Sequence, residues 1–347
     1  MKKLLFAVGV AVSLSGAVEA QDIHFTQYFT SPLTLNPAMT GLVTDDVRFS
    51  ANYRSQWASV SPNPYVTGTF SFDVATLKGK LPEGDALGVG VLGLYDKSGS
   101  GGLTNTTVGL STAYHKAFGR DRQQHLSIGL QGMLVQKNLN FARLTFEDMY
   151  NAANGTLANP TREVFNNADL TYPDFNLGVM YSGRITDHAT FYLGYSNYHL
   201  TRPAETFLNS DTSRINSRHS GYMGGSFDMN PNTVLYASAL YQAQGGAQEF
   251  VFGAAVGFVL NPGHDEEYQK NTIFYLGGWY RYLDAVSPYV GIEWAKMRLG
   301  ISYDVNVSSF TPATRSAGAY ELSLIYFGRI NKREANPNYN WSCPKLY

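Results

Sequence analysis

The chain has 347 residues, a formal net charge of −1 and only 15% charged residues, with 24 tyrosines, 20 phenylalanines and 34 glycines. A net charge this close to zero gives no electrostatic basis for binding nucleic acid. The single cysteine, Cys343, excludes an intrachain disulfide. Composition leaves two classes open: a soluble β-sandwich repeat protein, and a transmembrane β-barrel whose alternating strands keep mean hydropathy ordinary.

The first twenty residues have the pattern of a secretory signal peptide. Lys2 and Lys3 precede an apolar run over 4–12, and Val18-Glu19-Ala20 supplies small residues for cleavage. We therefore expect a signal peptide over 1–20 and a mature chain that begins at Gln21. The remainder contains no run of 18 apolar residues, which excludes a helical inner-membrane protein.

Segments of alternating apolar and polar residues recur along the chain between Gly, Asn, Asp and Pro turn signals. They are 46–57, 64–75, 86–96, 103–118, 124–138, 172–184, 188–199, 218–229, 231–244, 248–260, 271–282, 286–296, 297–307 and 317–329. In the last segment Tyr320, Leu322, Leu324 and Tyr326 share one face. Fourteen such segments predict an all-β protein, a transmembrane antiparallel barrel with an even strand number.

The strand count also predicts how the chain is placed in the outer membrane. An even number puts both ends of the barrel wall on one side, which is the periplasm in an exported bacterial barrel. The longest connections, 139–171 and 200–217, then fall on the outside. We predict a periplasmic or luminal arm over 21–45, a barrel over 46–329 and a periplasmic tail over 330–347, with both termini periplasmic.

The arm shows no period of either 2 or 3.6 residues, which indicates irregular structure. It carries an aromatic cluster, Phe25, Tyr28 and Phe29, that needs burial. Pro37 lacks an amide donor and biases Asn36 away from helix, so the turn they form can hold a fixed bend. We expect an arm that plugs the lumen of the barrel; the alternative is an unstructured remnant of the leader.

The first strand has a charged inner face. Arg48, Asn52, Arg54 and Gln56 alternate with apolar residues, and Asp73 lies on the next strand. Charges belong in water or in pairs, so this face either docks the arm or lines a wet interior. Trp57, at the end of the strand, is typical of an interfacial aromatic.

The tail is also rich in aromatic residues. We predict that Trp341, Cys343 and Pro344 belong to a periplasmic contact element. Cys343 is then a small buried residue, with covalent linkage to a partner as the alternative.

Linear motifs for chemistry are weak. The run 88–93 matches G-x-G-x-x-G but lies inside an alternating strand, with no helix to hold a pyrophosphate. The seven histidines are scattered singly, as polar rim residues are, and the acidic turn Asp265-Glu266-Glu267 is typical of a solvated loop rather than a calcium site. We expect no cofactor, no metal and no enzyme activity; a serine and histidine on adjacent strands, as in an outer-membrane lipase, remain the alternative.

Two stretches carry a family resemblance. The run 21–41 with Asn36-Pro37-Ala38, followed by Asn52-Tyr53-Arg54-Ser55-Gln56-Trp57, resembles the opening of PorP/SprF proteins of the type IX secretion system. The ending Asn340-Trp341-Ser342-Cys343-Pro344-Lys345-Leu346-Tyr347 is similar to the Cys-Pro-basic-apolar-aromatic ending common in that family.

The resemblance implies an outer-membrane component of type IX protein secretion, and of gliding. Its implied partners are other secretion-machine proteins, namely periplasmic ring components, the translocon or secreted adhesin cargo, besides outer-membrane lipid. The alternative from another class is a porin-like or hydrophobic-compound transport barrel. A porin needs no aromatic arm, and a carrier of hydrophobic compounds would need an apolar pocket where the inward positions here are mainly polar.

Overall fold

The computed structural model describes residues 22–43, 45–77, 80–99, 101–119, 122–151, 154, 156–157, 160–162, 168–207, 213–260, 272–309 and 311–330. The expected signal peptide, the acidic turn 265–267 and the tail residues Trp341, Cys343 and Pro344 lie outside these residues. Among the described residues, no helix is long and apolar enough to cross a membrane.

The alternating segments form one closed sheet of fourteen antiparallel strands. These are β1 (Val47–Gln56), β2 (Tyr65–Thr76), β3 (Ala86–Ser98), β4 (Leu103–Phe118), β5 (Gln124–Asn138), β6 (Asp169–Thr186), β7 (Ala189–Tyr198), β8 (Arg218–Asn230), β9 (Thr233–Gln244), β10 (Ala247–Val259), β11 (Ile273–Arg281), β12 (Ala285–Trp294), β13 (Met297–Asn306) and β14 (Ala317–Gly328). β1 pairs with β14, so that Val47 lies opposite Gly328 and Gln56 opposite Ala319. The predicted fourteen-stranded barrel is confirmed.

The two ends of the barrel differ in their loops. The end that holds Val47 and Gly328 is called here the terminal end, and the opposite end the loop end. The connections after β5 and β7, the longest predicted, both lie at the loop end. The first contains a short hairpin in which Tyr150–Asn151 pairs with Thr156–Leu157.

The wall has an apolar outer face, as the alternation predicted. Its inner face is polar on β1, β2 and β13, but on β7 to β12 it carries a buried aromatic and aliphatic cluster, which corrects the expectation that the inward positions are mainly polar. On β13 and β14, Ile301 and Leu322 point outward and are exposed, whereas their neighbours Ser302 and Glu321 point inward and are buried. A band of exposed apolar side chains around a closed barrel is suited to lipid contact.

The largest difference from the predicted strand boundaries is at the start of β6, and the other boundaries lie within two residues of the prediction. β6 begins at Asp169, three residues before the predicted start at 172, and it includes Pro173, which pairs with Leu134 of β5. Pro173, already inside the predicted segment, lacks an amide donor, and near the end of a strand the loss of one ladder hydrogen bond is tolerated.

The arm runs through the inside of the barrel. Its first described residue, Asp22, contacts Gln244 at the loop end, and Gly41 contacts Asp73 near the terminal end, from which the chain enters β1. Asp22 therefore lies at the opposite end of the barrel from Val47 and Ile330. The two ends of the wall thus share one end of the barrel, whereas the start of the arm lies at the other, because the arm crosses the length of the lumen. The periplasmic placement of the termini stays a prediction.

Candidate functional site

The arm is built from three short turns. They are a 3-10 turn at Tyr28–Thr30, one α-helical turn at Pro32–Leu35 and a second 3-10 turn at Pro37–Met39. Asn36 caps the last turn, since its Oδ1 accepts a hydrogen bond from the Ala38 amide at 2.7 Å, and Pro37 follows with its backbone angle already suited to the turn. The Asn-Pro-Ala sequence thus fixes the bend.

One side of the arm packs into an aromatic cluster on strands β7 to β12. The Phe29 ring lies 4.7 Å from the Trp279 ring and 5.8 Å from the Tyr289 ring, and Tyr28 Oη donates to Ser238 Oγ at 2.6 Å. Fully burying an apolar side chain of this size contributes about 1.5–3 kcal/mol. The same side of the arm buries Leu35, Met39 and Leu42 as well, so the docked arm is strongly favoured over a hydrated one.

Because the arm pairs with no strand, side chains of the wall satisfy its backbone. Glu321 accepts from the amides of Thr26 at 2.7 Å and Gln27 at 2.9 Å. Tyr198 Oη and Gln131 Nε2 both donate to the Leu33 carbonyl, each at 3.1 Å. Buried backbone polar groups left unpaired are costly, and these contacts remove that cost for an irregular segment.

Two arginines bind arm carbonyls at separate levels of the lumen. Arg48 donates to the carbonyls of Met39 at 2.9 Å and Leu42 at 3.3 Å, and its guanidinium pairs with Asp73 at 2.8 Å. Asp73 in turn accepts from the Gly41 amide at 2.7 Å. Arg218 donates to the carbonyls of Ile23 and Thr34, and its guanidinium lies 3.5 Å from the Asp22 carboxylate. Removing either arginine would therefore free backbone groups as well as a charge partner.

A buried charge cluster lies closer to the loop end. It comprises Arg54, Arg281, Asp304 and Glu321: Asp304 pairs with Arg54 at 3.0 Å and Arg281 at 3.1 Å, and Arg54 also pairs with Glu321. Thr26 of the arm sits among them, its hydroxyl donating to Asp304 at 2.9 Å and accepting from Arg281 at 2.6 Å. Breaking such a buried set by removing one member is strongly destabilising.

The Asn-Pro-Ala turn packs against a patch of the wall where two glycines leave the backbone without side chains. Gly129 of β5 and Gly178 of β6 are paired directly across the two strands. A Cβ at Gly178 would overlap Asn36 Oδ1, and one at Gly129 would overlap the Pro37 backbone. Beside this patch Asn36 Nδ2 donates to the carbonyls of Val179 at 3.0 Å and Tyr195 at 3.1 Å. Glycine is required here so that the arm can approach the sheet.

The start of the arm is held by a histidine clasp, defined as His199 with Asp22 and Asp174. His199 Nε2 lies 2.6 Å from Asp22 Oδ2, and Nδ1 lies 2.8 Å from Asp174 Oδ2. Burial by itself lowers the pKa of His199, but the carboxylates of Asp22 and Asp174 outweigh it and raise the pKa to about 9. The imidazolium is therefore the form that holds the arm at neutral pH.

The residues singled out from sequence separate into three groups. Phe25, Tyr28, Phe29, Asn36 and Pro37 are buried in the arm. Arg48, Asn52 and Arg54 meet the arm from the wall, Asn52 through a hydrogen bond to Thr30. Trp57 instead packs edge-on against Tyr65 at the loop end, with ring centroids 5.3 Å apart.

Several contacts were missed from sequence. His115 and His199 are buried inside the lumen and are not rim residues, and His115 Nε2 lies 2.8 Å from the Thr40 carbonyl. Glu321, Asp304 and Arg281 were also missed. Strand alternation already placed these charged residues on the inner face, which was the available signal.

A cavity of about 640 Å³ lies between the arm and the wall at the loop end. From Phe25 to Val43 every arm residue except Thr34 is buried. Between Asp22 and Val43, the residues that keep partial exposure are Asp22, Ile23, His24 and Thr34, and all four line this cavity. The lumen is thus closed by the arm toward the terminal end and hollow toward the loop end. No group of acidic, histidine or cysteine side chains suited to a metal occurs within the described residues.

A closed antiparallel barrel with a lipid-facing apolar band and an arm that fills its lumen is a plugged outer-membrane β-barrel. The family of type IX secretion system membrane proteins PorP/SprF matches residues 17–326. The chain belongs to this family.

Solved barrels with similar folds share little sequence with the chain. The toluene transporter TbuX of Ralstonia pickettii is 14% identical, with 86% of this chain and 94% of that chain covered and a TM-score of 0.48. A FadL homologue of Pseudomonas aeruginosa is 11% identical, with 86% and 94% covered and a TM-score of 0.46. Comparison with curated protein sequences finds no match. At these identities the likeness concerns the fold alone.

Proposed function

We propose that this barrel serves type IX secretion, and the gliding that depends on it, by binding other machine proteins or exported proteins, and not by conducting solutes. The observation that supports this proposal is the closed lumen: from Phe25 to Val43 the arm is buried apart from Thr34. A porin-like channel needs a continuous wet path. A carrier of hydrophobic compounds needs an apolar cavity, whereas this one has charged side chains beside its apolar ones.

The proposal includes an orientation. Bacterial outer-membrane barrels have short periplasmic turns and longer external loops, so the loop end faces outward and the terminal end faces the periplasm. Periplasmic ring components would then meet the turns of the terminal end together with the tail after Ile330. Exported proteins, including adhesins, would meet the loop end and its cavity.

The test compares the full chain with a barrel that lacks residues 22–40, each expressed in a strain without the natural copy. We expect the strain to lose secretion, the full chain to restore it, and the truncated barrel to insert and remain heat-modifiable without restoring it. In planar bilayers the full chain should show little conductance and the truncated barrel a large one. A full-length barrel that conducts like an open porin, or normal secretion by the truncated one, would refute the proposal.

A further inference from the structure

The cavity at the loop end has one wall formed by the arm itself. Asp22, Ile23, His24 and Phe25 line it, and this stretch belongs to no helix or strand. The opposite wall comes from strands β1 to β5, and residues 213–216 border the mouth. At about 640 Å³ the cavity lies within the range of sites that enclose a ligand.

Several backbone groups of this arm stretch have no hydrogen bond to any described residue. The Asp22 amide donates to Gln244 Oε1 at 2.7 Å, and the Ile23 carbonyl accepts from Arg218. Within the described residues, the amides of Ile23, His24 and Phe25 and the carbonyls of His24 and Phe25 have no hydrogen-bond partner. A short run of free donors and acceptors is the recognition element that extended peptides use.

The opposite wall alternates in character. Gln56, Thr67, Asp96 and Asn105 bring polar side chains to the cavity. Asp96 uses one carboxylate oxygen to accept from Thr67 Oγ1 at 2.6 Å, and the other oxygen has no hydrogen bond to the part of the chain that the structure describes. Leu92, Leu94, Met133 and Val135 bring apolar surface between these groups. Such a lining suits a chain that carries an amide backbone and mixed side chains.

Hydrocarbon ligands fit this lining poorly. Arg54, Asp96, Lys137, Glu205 and Arg218 all border the space, and an apolar ligand would strip water from these charges without giving hydrogen bonds in return. The tail of the chain itself is also a poor occupant, because Ile330 lies at the terminal end and the arm closes the lumen in between.

We propose that the cavity binds a short segment of another polypeptide, which enters from the loop end and hydrogen-bonds to the backbone of residues 23–25. The segment comes from an exported protein. Only this assignment of its source rests on the proposed function. The wall residues of β2 to β4 contact its side chains, and the free backbone groups of the arm bind its amides.

The test places p-benzoylphenylalanine in secreting cells at Asn105, which lines the cavity, and at Leu110, which lies on the outer face of the same strand and is 70% exposed. Ultraviolet light should join position 105 to a protein, with the cross-link mapping to one contiguous segment of an exported protein. Position 110 should give lipid adducts only. Lipid adducts at position 105, or no adduct there, would overturn the proposal.

The backbone contact is tested by Ile23→Pro, which removes an amide donor, against Ile23→Val, which keeps it. We expect Ile23→Pro to reduce the adduct at position 105 at least tenfold and Ile23→Val to leave it unchanged. Low conductance of both variants would show that the arm still fills the lumen of the barrel. Equal adduct yields in both would overturn the backbone mode.

A purified barrel gives a test that does not depend on secretion. The cross-linked segment, made as a synthetic peptide, should bind the full chain in detergent, and a copy with alternate N-methylated amides should bind at least tenfold more weakly. Equal binding of the two peptides would overturn the inference and leave the proposed function standing. Normal secretion in the deletion strain would overturn the proposed function without affecting these binding results.

Discussion

Single residues hold the arm because each serves two partners at once. Asn36 accepts from the Ala38 amide within the arm and donates to the Val179 and Tyr195 carbonyls of the wall. Arg48 joins Asp73 to the carbonyls of Met39 and Leu42. A side chain that both fixes a turn and attaches it to the wall makes local shape and docking inseparable.

We expect Asn36→Asp to displace the arm. Asn36 is fully buried, and an aspartate would lose both donors and place a negative charge against two carbonyl oxygens. Each buried group left unpaired costs about 1–3 kcal/mol, and the charge adds to that cost. The measurement is single-channel conductance, which should rise. Asn63→Asp, at an exposed loop position, is the control and should leave conductance low.

The histidine clasp predicts a dependence on pH. The pKa of His199 is raised from its ordinary value, near 6.5, to about 9. The protonated form then contributes stability that is complete below about pH 6.5 and is lost as the pH rises through about 9. We expect a protease to cleave a site inserted just before Asp22 faster as the pH rises from 8 to 10, because His199 loses its proton around its pKa of about 9.

The matched variants separate the clasp from general effects of alkali. His199→Gln should remove the pH dependence of cleavage, whereas His188→Gln, in an exposed turn at the terminal end, should keep it. An unchanged profile in His199→Gln would contradict the assignment.

At the scale of elements, the wall and the arm follow different rules. A strand satisfies its own backbone through the ladder, so its sequence needs only the alternation of faces. The arm has no ladder and relies on side chains that are distant in sequence, such as Glu321, which binds Thr26 across 295 residues. This difference explains what could be predicted.

The strands and the inner position of Arg48 and Arg54 followed from alternation, which is a local signal. The aromatic cluster Phe25, Tyr28 and Phe29 also indicated that the arm would be buried. The sequence could not predict the direction of the arm, the hydrogen bonds from Arg218 to its carbonyls, or the histidine clasp. These features depend on which inward positions face one another across the lumen. His199 looked like a rim residue for the same reason.

The glycine patch gives a prediction about how β5 and β6 receive the arm. In Gly178→Ala the new methyl group would overlap Asn36 Oδ1, and overpacking of this kind costs about 1–3 kcal/mol. We expect a lower midpoint in urea refolding and a higher conductance. Gly221→Ala, on β8, is the control, because a Cβ there meets nothing within 4 Å; equal losses in both variants would contradict the close approach.

For the whole molecule, outer and inner faces should respond differently to substitution. Ile301→Arg, on the outer face where Ile301 is 58% exposed, should lower the free energy of unfolding by about 2–4 kcal/mol if it meets the middle of the bilayer. Ser302→Ala, on the inner face, removes an acceptor for Gln27 Nε2 and should cost about 1 kcal/mol. Refolding into lipid vesicles measures both, and equal costs would mean that the faces are misassigned.

The last prediction concerns whether the arm stays inside the barrel while the protein works. Thr40 of the arm and Ser111 of β4 have hydroxyl oxygens 2.6 Å apart, so cysteines at both positions are close enough to form a disulfide that locks the arm to the wall. Because the proposed function is binding and not conduction, we expect the oxidised Thr40→Cys, Ser111→Cys variant, in a Cys343→Ser background, to secrete as well as its reduced form. The single variant Thr40→Cys in the same background is the control. Secretion that stops on oxidation and resumes on reduction would show instead that the arm leaves the lumen during export, and that the barrel opens.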